Sequence, residues 1–191
     1  MKHLILASSS PYRRQLLARL RLEFETQAPA VDETAQPDES PLALASRLAS
    51  QKARSIATPQ AVVIGSDQVA ELDGKLLRKP GSHQAALQQL LACQGHTVNF
   101  HTAVTVIDTD TDQCWQTADL TEVQFAKLDE TALDAYLHKE QPYDCAGGFK
   151  AEGLGIALFT RIKSDDPSAL LGLPLIWLAQ TIRHAGFDPL G

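Results

Sequence analysis

Several things that would narrow the class of this chain are scarce in it. Only three of 191 residues are cysteine, at positions 93, 114 and 145, with no CxxC pair and no Cys/His ligand spacing. Neither a zinc site nor a disulfide framework is expected from them, and a reducing cytoplasmic setting fits. Long apolar runs are missing too. The apolar start, Leu4 to Ala7, is four residues long and arginines follow soon after, so neither a signal peptide nor a membrane span of about 20 residues is expected. Basic residues are outnumbered, 17 Lys and Arg against 23 Asp and Glu, for a formal net charge of -6. A long nucleic-acid polymer is therefore not an expected partner. There is no GxSxG elbow, no Walker loop and no GxGxxG, and Cys145 has no evident activating neighbour. These gaps argue against nucleophilic acyl chemistry and the commonest nucleotide loops.

What is present reads as one globular domain over residues 1–191, with 44% hydrophobic and 21% charged residues. A short strand at Leu4–Ala7 runs into a helix from Pro11, with Ser10 as N-cap and proline at the first helical position. Ser40-Pro41 repeats that signal and opens a helix to about Ala57. The apolar run Ala61–Ile64 predicts a strand buried on both faces, ending in Gly65-Ser66-Asp67-Gln68. Asp73-Gly74 predicts a hairpin turn. Further helices are expected at Ser82–Gln94, Asp129–His138 and Pro174–Gly186. Alternating residues predict a strand over Val98–Val106 and its return over Cys114–Phe125. A short strand near Glu23–Gln27 and another at Ile156–Ile162 complete an α/β fold with a mixed, twisted sheet.

Chemistry-bearing residues stand in unusual places. Arg13 and Arg14 fall in the first turn of the first helix, where the dipole disfavours cations. Either an anion sits there, held with Ser8, Ser9 and Ser10, or both arginines are solvated. Lys52 falls in the inward stripe of the second helix, among Leu44, Leu48, Ala49 and Ile56. It either snorkels to water or meets an anion. Asp67 follows the most apolar strand, a position suited to a general base or metal ligand, or to a turn cap. Lys79, Lys150, Glu33 and Glu152 add cations and carboxylates on loops, and the glycines around Glu152 permit close backbone approach to a ligand. The six histidines, at 3, 83, 96, 101, 138 and 184, show no ligand or triad spacing and read as structural or surface residues. Cations to hold phosphates, with carboxylates for a metal and a water, make a phosphoryl-chemistry set.

Those motifs carry a resemblance that runs essentially from end to end. LILASSSPYRRQLL (Leu4–Leu17), VDET (Val31–Thr34), Lys52-Ala53, GSDQV (Gly65–Val69), Lys79-Pro80, CAGGFKAEG (Cys145–Gly153) and GLPL (Gly172–Leu175) resemble the Maf-like nucleotide pyrophosphatases, also described as septum-formation inhibitors. The resemblance implies an elongated mixed β-sheet flanked by helices with a nucleotide-binding cleft. It also implies a divalent metal cofactor (Mg, Mn or Co) and a homodimer. Tyr12, Gln68 and Glu152 match the subfamily that hydrolyses 7-methyl-GTP, where they fall on substrate-specificity positions. The proton acceptor falls on Asp67. Ser8, Arg13, Glu33, Lys52 and Lys79 match the phosphate- and metal-handling set. Joined to the reading of the residues, this puts Lys52 and Lys79 in catalysis, Ser8 and Arg13 on phosphate together with Arg14 from the first helical turn, and Glu33 and Asp67 on the metal. Tyr12 stands where the subfamily often has tryptophan, Arg78 where glycine is usual and Gly148 where serine is common. The alternatives are the same hydrolysis of dTTP or UTP, and a nucleotide-binding regulator of septum formation acting through a protein partner.

Overall fold

A computed structural model describes residues 2–191. The chain runs β1 (His3–Ala7), α1 (Pro11–Ala18), β2 (Glu25–Gln27), α2 (Pro41–Arg54), β3 (Ala61–Leu72), β4 (Lys75–Leu77) and α3 (His83–Cys93). It continues through β5 (Thr97–Asp108), β6 (Cys114–Phe125), α4 (Glu130–Glu140), β7 (Phe159–Lys163) and α5 (Leu175–His184). One open, seven-stranded sheet has the order β2-β1-β3-β5-β6-β7, with β4 paired to β3. β1 is parallel to β2 and β3, while β3, β5, β6 and β7 are mutually antiparallel neighbours. The fold is therefore α/β with a mixed sheet, as the sequence pattern predicts.

Alternation along the strands sorts the core into opposite faces. Leu4, Leu6, Val62 and Ile64 pack with α1 and α5 through Leu16, Leu17, Leu178 and Ile182. Ile5, Ala7, Ala61 and Val63 face the other way, onto Ala53 and Ile56 at the end of α2 and just beyond it. At the far end of the sheet, α3 and α4 cover Val98, Phe100, Val123 and Phe125. Ser10, Ser40, Ser82 and Asp129 cap their helices by accepting from the backbone N–H three residues on.

Two expectations need correction. β3 does not end at Gly65–Gln68; it runs on to Leu72, paired along its length with β5 and at its end with β4. The strand that stops is β1, whose last residue, Ala7, pairs with Gly65. Asp67 thus lies just past the carboxyl end of β1, where α1 begins. The strand expected at Ile156–Ile162 starts only at Phe159, because residues 154–158 coil into a 3₁₀ turn. Gly155 allows that coil: a Cβ there would stand 2.3 Å from the Lys150 carbonyl oxygen.

Among the described residues, no helix is long and apolar enough to cross a membrane.

Candidate active site

The cleft opens beside the β1–α1 junction and has a volume of about 400 Å³, within the usual range for ligand sites. Ser8, Ser9, Ser10, Tyr12, Arg13, Glu33, Lys52, Asp67, Gln68, Lys79 and Glu152 all line it. All eleven belong to the motifs singled out in the sequence, with Ser10 as the cap of α1.

At its floor, Lys52 and Asp67 are almost fully buried, 5% and 7% exposed. The Lys52 Nζ donates to Asp67 Oδ1 at 2.5 Å and stands 2.5 Å from Glu33 Oε1. Lys52 therefore pairs with carboxylates instead of snorkelling. The juxtaposition depends on Gly65. A Cβ at Gly65 would lie 2.3 Å from the Ala49 carbonyl oxygen and 2.5 Å from the Ala53 nitrogen. Only glycine lets α2 lie this close to β3. Gly65 and Asp67 share one face of the strand, so the same contact brings Lys52 over the Asp67 carboxylate.

Arg13 is fixed by its Nε, which donates to the Gly172 carbonyl at 3.0 Å, leaving the terminal nitrogens of its fork for a ligand. Ser66 Oγ donates to the same carbonyl at 2.8 Å. The segment bearing Gly172 is held in turn by Asp166 and Ser168. Asp166 Oδ2 accepts from the Ile176 N–H at 2.6 Å and Ser168 Oγ from the Leu175 N–H at 2.8 Å. These bonds satisfy the first turn of α5, whose cap residue, Pro174, offers no side-chain acceptor. Sequence patterning missed this support; the only signal was the GLPL motif itself.

Gln68 Nε2 lies 2.9–3.0 Å from three acceptors: Thr102 Oγ1 and the carbonyls of Ala169 and Leu170. Its amide donor is thus engaged, and the amide oxygen is the group left for a ligand. Glu152 is exposed on the opposite wall. Its loop is anchored by Phe149, which packs edge-on against Phe100, Phe125 and Phe159 at centroid distances of 4.9–5.5 Å. Gly147 and Gly148 both have positive φ, 80° and 73°, and together turn the loop toward the cleft.

The loop carrying Glu33 is tied down by Arg47 on α2. Its guanidinium grips Glu39 at 2.7 and 2.8 Å and donates to the Thr34 carbonyl at 3.0 Å. That grip holds the Glu39 carboxyl down to about 2. Nothing in the spacing of Arg47 marked it.

Electrostatics separate the two floor carboxylates. Burial drives the Asp67 carboxyl above its ordinary value, against the pull of Lys52 and Arg13, and the nearby Glu33 charge adds to the rise. Burial raises Glu33 as well, but Lys52, Lys79 and Arg13 outweigh it and leave that carboxyl below its ordinary value. Burial, then Cys145, Asp144 and Glu152, pushes the Tyr12 phenol up, so it stays neutral. Cys145 on the same wall is pushed up to about 11, chiefly by burial, which makes it an inert thiol.

Two expected cations lie elsewhere. Arg14 is exposed and lines a separate shallow depression with Gln15, Ala18 and Thr26. Successive helical residues point about 100° apart, so Arg13 faces the cleft while Arg14 faces the neighbouring depression, which shares Ser8, Ser9 and Ser10 with it. Lys150 donates to the Glu140 carbonyl at 3.3 Å, with Glu140 Oε1 at 3.8 Å, and does not line the cleft.

Comparison with known proteins fits this geometry. The profile of a family described as Maf-like protein matches residues 3–185. A protein of Xanthomonas axonopodis pv. citri (strain 306) named 7-methyl-GTP pyrophosphatase is 56% identical over 98% of this chain and 99% of its own. Relatives of the same name from Albidiferax ferrireducens and Nitrosococcus oceani are 52% and 51% identical, over 100% and 98% of this chain and 96% and 95% of theirs.

Proposed function

The chain belongs to the Maf-like protein family, and we propose that it hydrolyses 7-methyl-GTP to 7-methyl-GMP and pyrophosphate. The observation that carries this reading is the floor of the cleft. There a buried lysine lies between two carboxylates at 2.5 Å from each, with Arg13, Lys79 and the Ser8 hydroxyl around it. The name shared by relatives at 51–56% identity supports the substrate.

In this reading Asp67 takes a proton from a water whose oxygen attacks the α-phosphorus. The bond from that phosphorus to the bridging oxygen breaks, and pyrophosphate leaves with the electron pair. The raised proton affinity of Asp67 suits it to accept that proton. Arg13, Lys79 and Ser8 hold the phosphate oxygens, and Lys52 keeps Asp67 and Glu33 in register while its charge faces the phosphates. Hard carboxylate oxygens on Glu33 and Asp67 suit Mg²⁺ or Mn²⁺. A divalent cation held there supplies charge neutralisation for the phosphates.

At the base end, Glu152 can accept from both N1–H and the exocyclic amine of guanine, and its charge favours a purine made cationic by N7 methylation. The face of Tyr12 adds a cation–π contact of about 0.5–2 kcal/mol. The test is pyrophosphate release across 7-methyl-GTP, GTP, dTTP and UTP, each with Mg²⁺, Mn²⁺ and Co²⁺. The highest kcat/KM should fall on 7-methyl-GTP; a higher value on UTP or dTTP overturns the substrate.

A further inference from the structure

Outside the cleft, the fold brings a distant histidine to two ligating groups on one helix. His83 is the first residue of α3. Asp134 and His138 lie four apart on α4 and so share a face. His83 Nε2 is 2.7 Å from Asp134 Oδ1, and His138 Nε2 is 3.4 Å from Asp134 Oδ2. One ligand atom from each of the three lies within 4.8 Å of the others. None of the three lines the cleft.

In one of its two tautomers, the bonding around His83 suits a metal ion. Its Nδ1 is 3.0 Å from the Tyr143 hydroxyl, and that hydroxyl donates to the Leu137 carbonyl at 3.3 Å. A phenol has one proton. With that proton on Leu137, the oxygen accepts from His83 Nδ1–H, and Nε2 carries a bare lone pair aimed at a carboxylate oxygen. Two such lone pairs at 2.7 Å need a proton or a metal ion between them. The phenol is also the partner a ligating imidazole requires: a hydrogen bond to the distal ring nitrogen fixes tautomer and orientation.

We propose that His83, Asp134 and His138 form a binding site for a borderline transition-metal ion of the Zn²⁺, Co²⁺ or Ni²⁺ class. Two imidazoles and one carboxylate are the donor set such ions prefer over Mg²⁺ or Ca²⁺. With bonds of about 2.0 Å, tetrahedral ligand atoms stand roughly 3.3 Å apart. The His138–Asp134 distance already matches, and the half-exposed His83 ring opens the shorter pair by a small rotation. Water takes the fourth position. The site clamps α3 to α4 beside the Gly81–Tyr143 backbone bond of 2.9 Å. That bond joins the loops that carry Lys79 and Glu152, so occupancy braces one wall of the cleft. Metal choice here differs from that of the all-oxygen floor, and the proposal stands whatever reaction the cleft performs.

Calorimetric titration of the full chain with Zn²⁺ tests it, using the parent, His138→Ala and Asp67→Asn. One saturable event that persists in Asp67→Asn and is lost in His138→Ala is expected. Tyr143→Phe should weaken that event by about 10–100-fold. In parallel, the imidazole proton resonances of His83 and His138 should shift with Zn²⁺ while the other four histidines stay still. An unchanged affinity in His138→Ala, no saturable binding in the parent, or shifts at other histidines would overturn the site.

Discussion

Gly65 and Ala53 are in backbone contact: a Cβ on Gly65 would sit 2.5 Å from the Ala53 nitrogen and 2.9 Å from its Cβ. That closeness of β3 to α2 sets the 2.5 Å hydrogen bond between Lys52, next to Ala53, and Asp67, the next residue on the same face as Gly65. Gly65→Ala should push α2 outward. Overpacking of this kind costs about 1–3 kcal/mol, and a displacement near 1 Å can cost on the order of 10²-fold in rate. Thermal melts and kcat/KM for pyrophosphate release should both fall; an unchanged rate would separate the packing contact from the chemistry.

Asp67 should register in the pH dependence of stability. Its carboxyl is raised above the unfolded value. Such a group favours the fold below its unfolded pKa and loses that contribution as pH rises through the folded one. Asp67→Asn removes the loss. The variant-minus-parent difference in Tm should therefore become more positive as pH rises past the ordinary carboxylate pKa of about 4. Glu33, shifted the opposite way, is present in both proteins and largely cancels. A difference that shrinks with rising pH would reverse the sign assigned to Asp67.

Arg47 should act through the Glu33 loop. It touches Glu39 and the Thr34 carbonyl, yet does not line the active-site cleft. Arg47→Met should raise KM and lower kcat, and Arg47→Lys should restore little, because an ammonium cannot make the two-pronged contact. Full rescue by lysine would show that charge alone suffices.

Base selection should follow Glu152 and Gln68. Combining Glu152→Gln with Gln68→Thr removes an acceptor pair and a negative charge, and frees the carbonyls of Ala169 and Leu170 that now hold Gln68. The kcat/KM ratio of 7-methyl-GTP to UTP should fall, since a polar site rejects analogues that leave its groups unpaired. Tyr12→Ala should cost the methylated purine more than GTP. An unchanged substrate ranking in the double variant would remove the base-reading role.

Local rules made much of this legible. Ser10-Pro11 and Ser40-Pro41 marked the helix starts because capping is a short-range hydrogen bond. The lysine in an apolar stripe announced a buried cation, since periodicity alone assigns its face. Longer-range features were hidden. The run of β3 past Gly65 is set by pairing with β5, as of Asp67 with Ala103 and Glu71 with Asn99, partners far along the chain. Arg13 and Arg14 looked equivalent until helix geometry turned one away. His83 and Asp134 lie 51 positions apart, a separation that no spacing rule reaches.

The central claim is hydrolysis at the α-phosphorus with Asp67 as proton acceptor. The most direct measurement is product analysis for 7-methyl-GTP with parent and Asp67→Asn at saturating metal. The parent should give 7-methyl-GMP and pyrophosphate in equal amounts, and the variant should turn over about 10²–10⁴-fold more slowly with its fold intact. Release of orthophosphate with 7-methyl-GDP, or near-parental turnover by Asp67→Asn, would contradict it.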